Sequence, residues 1–249
     1  MTLFNVAPHL CLVETALRCK LDSYYRGKEY CTLHELRSIL QKDELHLRCL
    51  TLDYGISSSF LEIVSSIAHH PSLQQLVLVH ASFYGEQAAG FDAVVGLAIE
   101  RRLSTLCLMN AIGLGSVHIP ALIRLLNDGK LSTLRIGRDG HSYSNILLEP
   151  NPGVLAMFCG AISNATLLCL DLGGIEVQTD ACVALVAAVT GHPTLQQLRL
   201  WQWVENDAHK SAVAVALGQL VSVNAPAGVV DQCRLARDCV GQTDMCSSS

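Results

Sequence analysis

The chain has 249 residues and a net charge of −5, half of its residues are hydrophobic, and only 16% carry a charge. Its 17 lysines and arginines are scattered rather than gathered in a basic stripe, which argues against nucleic-acid binding. No apolar run approaches the roughly 20 residues that a membrane-spanning helix needs. The high apolar content favours elements that are buried on both faces, such as a parallel sheet covered by helices.

The first 44 residues precede the regular pattern of the chain. Apolar residues within 10–21 have helical spacing and predict one helix. A second helix is predicted from Thr32, where Thr32 and Glu35 fit a capping box. We expect residues 1–44 to form an N-terminal helical cap with a degenerate half-repeat. No basic segment precedes an apolar run there, so no signal peptide is expected.

A short phrase with leucines at its first, fourth and sixth positions then recurs six times. The copies are LRCLTL from Leu47, LQQLVL from Leu73, LSTLCL from Leu103, LSTLRI from Leu131, LLCLDL from Leu167 and LQQLRL from Leu195. Only Ile136 departs from leucine, and the starts are 26, 30, 28, 36 and 28 residues apart. Periods of this length are typical of solenoids, in which each unit buries its apolar face against the next.

Each phrase is followed by a segment with the periodicity of a helix. After the first phrase, Gly55 marks a turn, apolar residues within 60–67 have helical spacing, and Pro71 ends the helix. Strands joined by such helical crossovers run parallel. The junction H-P-[ST]-L-Q-Q-L occurs twice, from His70 and from His192.

The phrases, their period and the intervening helices resemble the leucine-rich repeats of ribonuclease-inhibitor-like proteins, over residues 45–222. The resemblance implies an α/β leucine-rich-repeat solenoid. Its expected shape is a short horseshoe, with parallel strands on the concave face and helices on the convex face. Residues 223–249 are expected to form a degenerate C-terminal cap and a flexible tail. In that family, an asparagine recurs after each strand and forms a ladder along the turns. In this chain, only Asn110 occupies that position.

The unit that begins at Leu131 is the longest. Residues 137–153 insert turn-forming and polar residues before a helix predicted at 154–162. Insertions in solenoids form loops, and polar loops are candidate contact surfaces. A loop without any contact role is the other interpretation.

The residues that alternate with the leucines should share the concave face, because successive strand side chains point to opposite faces. Eight of them are the candidate binding residues: Val77, Val79, Cys107, Met109, Arg135, Asp171, Arg199 and Trp201. The first four predict an exposed apolar patch, unless they reflect only strand propensity. Arg135, Asp171 and Arg199 are predicted to form a charged row across three strands. Trp201 is a candidate binding hot spot, and covering the end of the core is its alternative role.

The sequence contains no nucleophile elbow, phosphate-binding loop or zinc-protease motif. We therefore expect the protein to have no enzymatic activity and to bind no cofactor. Cys31-x-x-His34 and His46-x-x-Cys49 contain the residue types of a zinc site. Residues three apart on a strand point to opposite faces, however, so no metal site is predicted. The 11 cysteines have no framework spacing, which predicts free thiols and a cytoplasmic location.

The resemblance implies a non-enzymatic scaffold that binds a protein partner through its concave face, and neither nucleic acid nor a membrane. The alternative is a substrate-recognition or ligand-sensing repeat domain of a larger regulator. Such regulators include ubiquitin-ligase receptors, GTPase-activating proteins and immune-type receptors. The strongly acidic tail typical of the GTPase-activating group and an F-box are both absent from the sequence.

Overall fold

The computed structural model describes residues 10–13, 16–21, 33–41, 47–54, 60–68, 70–83, 88–137, 147–148, 151–177 and 179–202. Within these ranges, strands alternate with helices along the chain. The strands are β1 (Leu10–Val13), β2 (Ala16–Leu21), β3 (Cys49–Tyr54), β4 (Gln75–Val79), β5 (Thr105–Met109), β6 (Thr133–Gly137), β7 (Leu147–Leu148), β8 (Cys169–Val177) and β9 (Gln197–Gln202). The helices are α1 (Leu33–Leu40), α2 (Phe60–Ile67), α3 (Ala88–Glu100), α4 (Ile119–Asp128), α5 (Pro152–Asn164) and α6 (Thr179–Val189).

The strands form one sheet whose order largely follows the chain. The order is β1-β2-β3-β4-β5-β6-β8, with β9 paired to β8. From β2 to β9 these neighbours are parallel, and among the described residues one α-helix lies between each consecutive pair in the sequence. The predicted α/β order of alternating strands and helices around a parallel sheet is therefore confirmed. It is compatible with a solenoid of leucine-rich repeats.

The leucines of the phrase lie side by side across the sheet. The register aligns the fourth-position leucines Leu50, Leu76, Leu106, Leu134, Leu170 and Leu198 in one row. The first five are almost fully buried, and Leu198 packs against the same core. This core also contains apolar residues of the helices, such as Phe91 of α3 and Phe158 of α5. The leucine side of the sheet therefore faces the helices.

The predicted helix over residues 10–21 is wrong. β1 and β2 form an antiparallel hairpin, and β2 runs parallel to β3 with Leu17 opposite Leu50. The spacing of the apolar residues fits a helix, but Leu17, Cys19 and Leu21 also alternate with the period of a strand. Pairing with the edge of β3 satisfies the backbone of β2 and so favours the strand. The second predicted helix is confirmed as α1.

The repeated junction motif joins consecutive units at the start of the strands. Nδ1 of His192 accepts hydrogen bonds from the backbone N–H groups of Thr194 and Leu195, at 3.3 and 3.1 Å. The Thr194 hydroxyl donates to the Leu167 carbonyl of the preceding unit at 2.8 Å. Ser72 in the other copy donates to the matching Leu47 carbonyl at 3.0 Å. Each of the two copies of the motif therefore bonds its own unit to the preceding one.

The inserted segment 137–153 is described only in part. Its residues 147–148 form β7, which extends the sheet by pairing in parallel with Glu176 and Val177 at the end of β8. The helix predicted at 154–162 is confirmed as α5, which begins at Pro152 after the N-capping side chain of Asn151. None of the described helices is both long and apolar enough to cross a bilayer.

Candidate functional site

The parallel register brings seven of the eight candidate binding residues into two neighbouring rows. We call the side of the sheet that carries the residues alternating with the leucines the alternate face. Its central row reads Thr51, Val77, Cys107, Arg135, Asp171 and Arg199, one residue from each of β3, β4, β5, β6, β8 and β9. The adjacent row carries Asp53, Val79, Met109 and Gly137. Strand pairing therefore places these side chains about 4.8 Å apart across the sheet.

The first half of the alternate face is apolar but less exposed than expected. Val77, Val79 and Met109 are half-buried. Cys107 is only 9% exposed, so its expected place in an exposed patch is wrong. A short thiol between Val77 and the long side chain of Arg135 is covered by its neighbours in the row. This burial raises the pKa of Cys107 to about 11, although the nearby Arg135 charge acts in the opposite direction.

Gly137 determines where the side chain of Met109 lies. A Cβ atom at position 137 would lie 2.7 Å from both Sδ and Cε of Met109, so the thioether rests directly over this glycine. Gly137 itself is buried, although it belongs to the alternate face. Val79, Met109 and Gly137 occupy the same position in three successive strands. The change from large side chains to glycine is the feature of the sequence that could have predicted this contact.

The second half of the alternate face is charged. Asp171 is only 8% exposed, and its Oδ1 accepts a 2.8 Å hydrogen bond from the backbone N–H of Gly173. Its Oδ2 lies 3.8 Å from Nη1 of Arg199, whose side chain is 57% exposed. On the other side of Asp171, the guanidinium of Arg135 forms a hydrogen bond with the thiol of Cys169, which raises the pKa of Arg135. The predicted row is therefore in register, with its acid buried and both arginines exposed.

Trp201 departs from the predicted register. The repeat pattern places Trp201 beside Gly173, but β9 pairs Leu200 with Leu172 and then Trp201 with Glu176. The irregularity lies within β8 between Leu172 and Glu176. The three additional residues in β8 shift every later pairing, as a bulge does. The side chain of Trp201 lies outside the described residues, so its predicted role stays a prediction.

A second polar cluster, which the sequence did not predict, lies where β3, β4 and β5 end. Nδ1 of His80 lies 3.0 Å from Oδ1 of Asp53, and Nε2 lies 3.2 Å from the amide nitrogen of Asn110. Because the Asn110 amide donates to Nε2, the imidazole proton resides on Nδ1 and is donated to Asp53. His80 and Asn110 both have left-handed backbones, with φ of 58° and 52°. Each of the two residues directly follows its strand, so they occupy matched turn positions. A residue type that tolerates a left-handed backbone at such positions could have indicated the cluster.

The helix side of the molecule carries a shallow groove of about 450 Å³ between α5 and α6. Small side chains line most of it, including Ala156, Ser163 and Ala187. The described residues contain no group of three potential metal ligands, and Cys31 and His46 of the rejected zinc pattern lie outside them. Cys49 is a free thiol in β3.

Comparison with known proteins does not assign this chain to a family. The sequence matches no protein-family model, and no curated protein matches it significantly. The candidate site is therefore defined by the geometry of the sheet alone. Continuous rows of side chains join its apolar half to its charged half.

Proposed function

We propose that the chain is a ribonuclease-inhibitor-like leucine-rich-repeat solenoid that binds a protein partner and catalyses no reaction. Helices are about 10 Å wide, whereas strands are spaced about 4.8 Å apart, so a stack of these units curves with its strands inside. The alternate face then becomes the concave surface of a short horseshoe. The observation that carries the proposal is the continuous row from Val77 to Arg199, which joins apolar and charged side chains on neighbouring strands.

The composition of this row suits protein recognition. Energetic centres of protein interfaces are enriched in arginine and aromatic residues and combine apolar contact with positioned polar groups. Val77 and Met109 supply apolar area, and Arg135 and Arg199 supply exposed donors. The strands that hold these side chains are fixed by a buried leucine row, so a partner meets a surface that needs little reorganisation.

The environments of His80 and Cys107, two residue types common in active sites, support a binding role rather than a catalytic one. Both ring nitrogens of His80 are engaged, one with Asp53 and one with Asn110. The thiol of Cys107 has a pKa of about 11 and is therefore protonated at neutral pH. A thiol that stays protonated is a poor nucleophile, and the Asn110 amide occupies the ring nitrogen that a general base would use. We also propose a cytoplasmic location, which the free thiols of Cys107, Cys169 and Cys182 support.

Affinity capture from native lysate tests this function with two matched arginine substitutions. Val77→Arg adds a long cation to the centre of the alternate face. Met157→Arg adds the same side chain to α5, where Met157 is 62% exposed on the helix side. We expect Val77→Arg to reduce recovery of the captured protein about tenfold or more and Met157→Arg to leave recovery unchanged. Equal recovery by both variants, with unchanged thermal unfolding, contradicts the proposal.

A further inference from the structure

We infer that the alternate face binds an acidic segment of its partner, with Arg199 and Arg135 as the anchors for its carboxylates. This inference rests on the proposed function and adds the charge of the partner to it. The three charges of the central row are not equivalent, because the acid is buried and the two bases are exposed. The second half of the alternate face therefore exposes two guanidinium groups, although the whole chain has a net charge of −5.

Asp171 lies beside Arg199 but leaves part of the Arg199 guanidinium available to bind a carboxylate of the partner. One carboxylate oxygen accepts the Gly173 N–H at 2.8 Å, and the other faces Nη1 of Arg199 at 3.8 Å. A guanidinium has five N–H donors in a fixed fork, and a single carboxylate oxygen can accept from only part of it. The rest of the exposed fork can bind a second carboxylate in the paired geometry that arginine favours.

Gly173 provides the space in which Arg199 lies. A Cβ atom at position 173 would lie 3.1 Å from Nε and 3.4 Å from Cδ of Arg199, and 2.9 Å from Oδ1 of Asp171. The arginine side chain therefore crosses directly over this glycine, beside the carboxylate of Asp171. A long side chain that is held in place before binding loses less conformational entropy when a ligand arrives.

Arg135 supplies a second anchor on the opposite side of Asp171. It is exposed on β6, next to Asp171 of the neighbouring strand β8. One strand separates β6 from β9, so the two arginines originate about 10 Å apart. Two acidic side chains of one segment can reach both of them. The apolar residues Val77 and Met109 continue the surface on the far side of Arg135, and suit apolar residues next to the acids.

Fluorescence anisotropy with defined peptides tests this inference on the full chain. The probes are three short fluorescein-labelled peptides with the same leucine positions, which carry glutamate, glutamine or lysine at alternate positions. We expect the glutamate peptide to bind about tenfold more tightly than the other two, with an affinity that falls as salt is added. Equal binding of the three peptides, tighter binding of the lysine peptide, or no binding of any peptide overturns the inference.

Substitutions identify the arginines and their positioning. Arg199→Gln and Arg135→Gln should each weaken binding of the glutamate peptide about fivefold or more. Gly173→Ala keeps both charges but displaces Arg199 and the Asp171 carboxylate beside it, so it should weaken binding while the preference for glutamate over lysine remains. Arg124→Gln on α4 removes a half-exposed arginine of the helix side and is the matched control. The inference is overturned if Arg124→Gln lowers affinity for the glutamate peptide as much as the face variants do. It is also overturned if neither Arg199→Gln nor Arg135→Gln lowers that affinity.

Failure of this inference can be distinguished from failure of the proposed function. If Arg199→Gln and Arg135→Gln still capture the partner fully whereas Val77→Arg does not, the alternate face binds a partner without selecting acids. That outcome overturns the acidic-segment inference and leaves the binding function in place.

Discussion

Nε2 of His192 lies 3.1 Å from the carbonyl oxygen of Ile162, thirty residues earlier in the chain. Ile162 lies in the last turn of α5, and its carbonyl also accepts the backbone N–H of Ala165 at 3.1 Å. The same ring accepts two backbone N–H groups through Nδ1 just before β9. One buried imidazole therefore joins the end of one helix to the start of the strand in the next unit. In the other copy of the motif, Nε2 of His70 is buried without a hydrogen-bond partner among the described residues, so this connection belongs to His192.

Replacing His192 with alanine leaves the Ile162 carbonyl and two N–H groups without this partner. We expect the free energy of unfolding to fall by about 1–3 kcal/mol, as is typical when buried hydrogen-bonding groups lose a partner. Urea denaturation measures the change. Gln196→Ala alters an exposed side chain in the same junction and should be nearly neutral. Equal effects of the two substitutions would show that the imidazole contributes no stability.

The leucine rows predict a second, larger stability effect. Leu106 is fully buried at the centre of the sheet, between Leu76 and Leu134. Leu106→Ala should cost about 2–5 kcal/mol, from lost burial and from the cavity that remains. Thr105→Ala changes the neighbouring half-buried residue of the alternate face and is the control. A loss below about 1 kcal/mol for Leu106→Ala would be incompatible with the repeat core.

Much of the fold follows from local sequence periodicity. The phrase positions predicted the strands, their parallel order and the register of Leu76 with Leu106, because each leucine must meet its equivalent to be buried. The hairpin of β1 and β2 was not predicted, since its apolar spacing fits a helix as well as a strand. That ambiguity is resolved only by pairing with β3, a contact that local spacing does not encode.

The site was predictable in its positions and less so in its side-chain arrangement. Alternation along the strands gave the row of Arg135, Asp171 and Arg199. It did not give the burial of Asp171, which depends on a hydrogen bond from Gly173 and on the covering side chain of Arg199. Nor could it give the irregularity in β8, because a bulge adds residues without changing the phrase.

The stability of the protein should depend on pH through His118. This residue is buried beside Phe91, and Nδ1 accepts the Gly115 N–H at 3.0 Å. Burial lowers the pKa of His118 below its ordinary 6.5, although the Asp92 charge opposes the shift. The unfolded chain therefore binds the proton first as pH falls below about 6.5, and stability decreases in that range.

Urea unfolding at several pH values between about 7.5 and 5.5 measures this dependence. His118→Asn keeps an acceptor for the Gly115 N–H without a titrating ring, so stability should fall less steeply with decreasing pH than in the wild type. His80→Asn removes a histidine that is 54% exposed and provides the comparison. A pH dependence unchanged by His118→Asn would show that this residue does not set it.

Trp201 remains the strongest single candidate for a binding hot spot. It follows Arg199 by two residues in β9 and pairs with Glu176. Trp201→Ala should lower affinity for the captured partner about tenfold or more with little change in melting temperature, as expected of an interface anchor. Gln197→Ala, an exposed residue of the same strand, is the control. A large drop in melting temperature with unchanged affinity would identify Trp201 as a cover for the end of the core.

Site-specific photocrosslinking in native lysate tests most directly which side of the molecule meets the partner. A photoreactive benzoylphenylalanine is placed at Thr105 or Thr133 on the alternate face, and at Leu61 or Met157 on the exposed side of the helices. We predict one common crosslinked protein from both threonine positions and none from the two helix positions. Crosslinking of a common protein from Leu61 or Met157, with none from the threonine positions, would contradict the account.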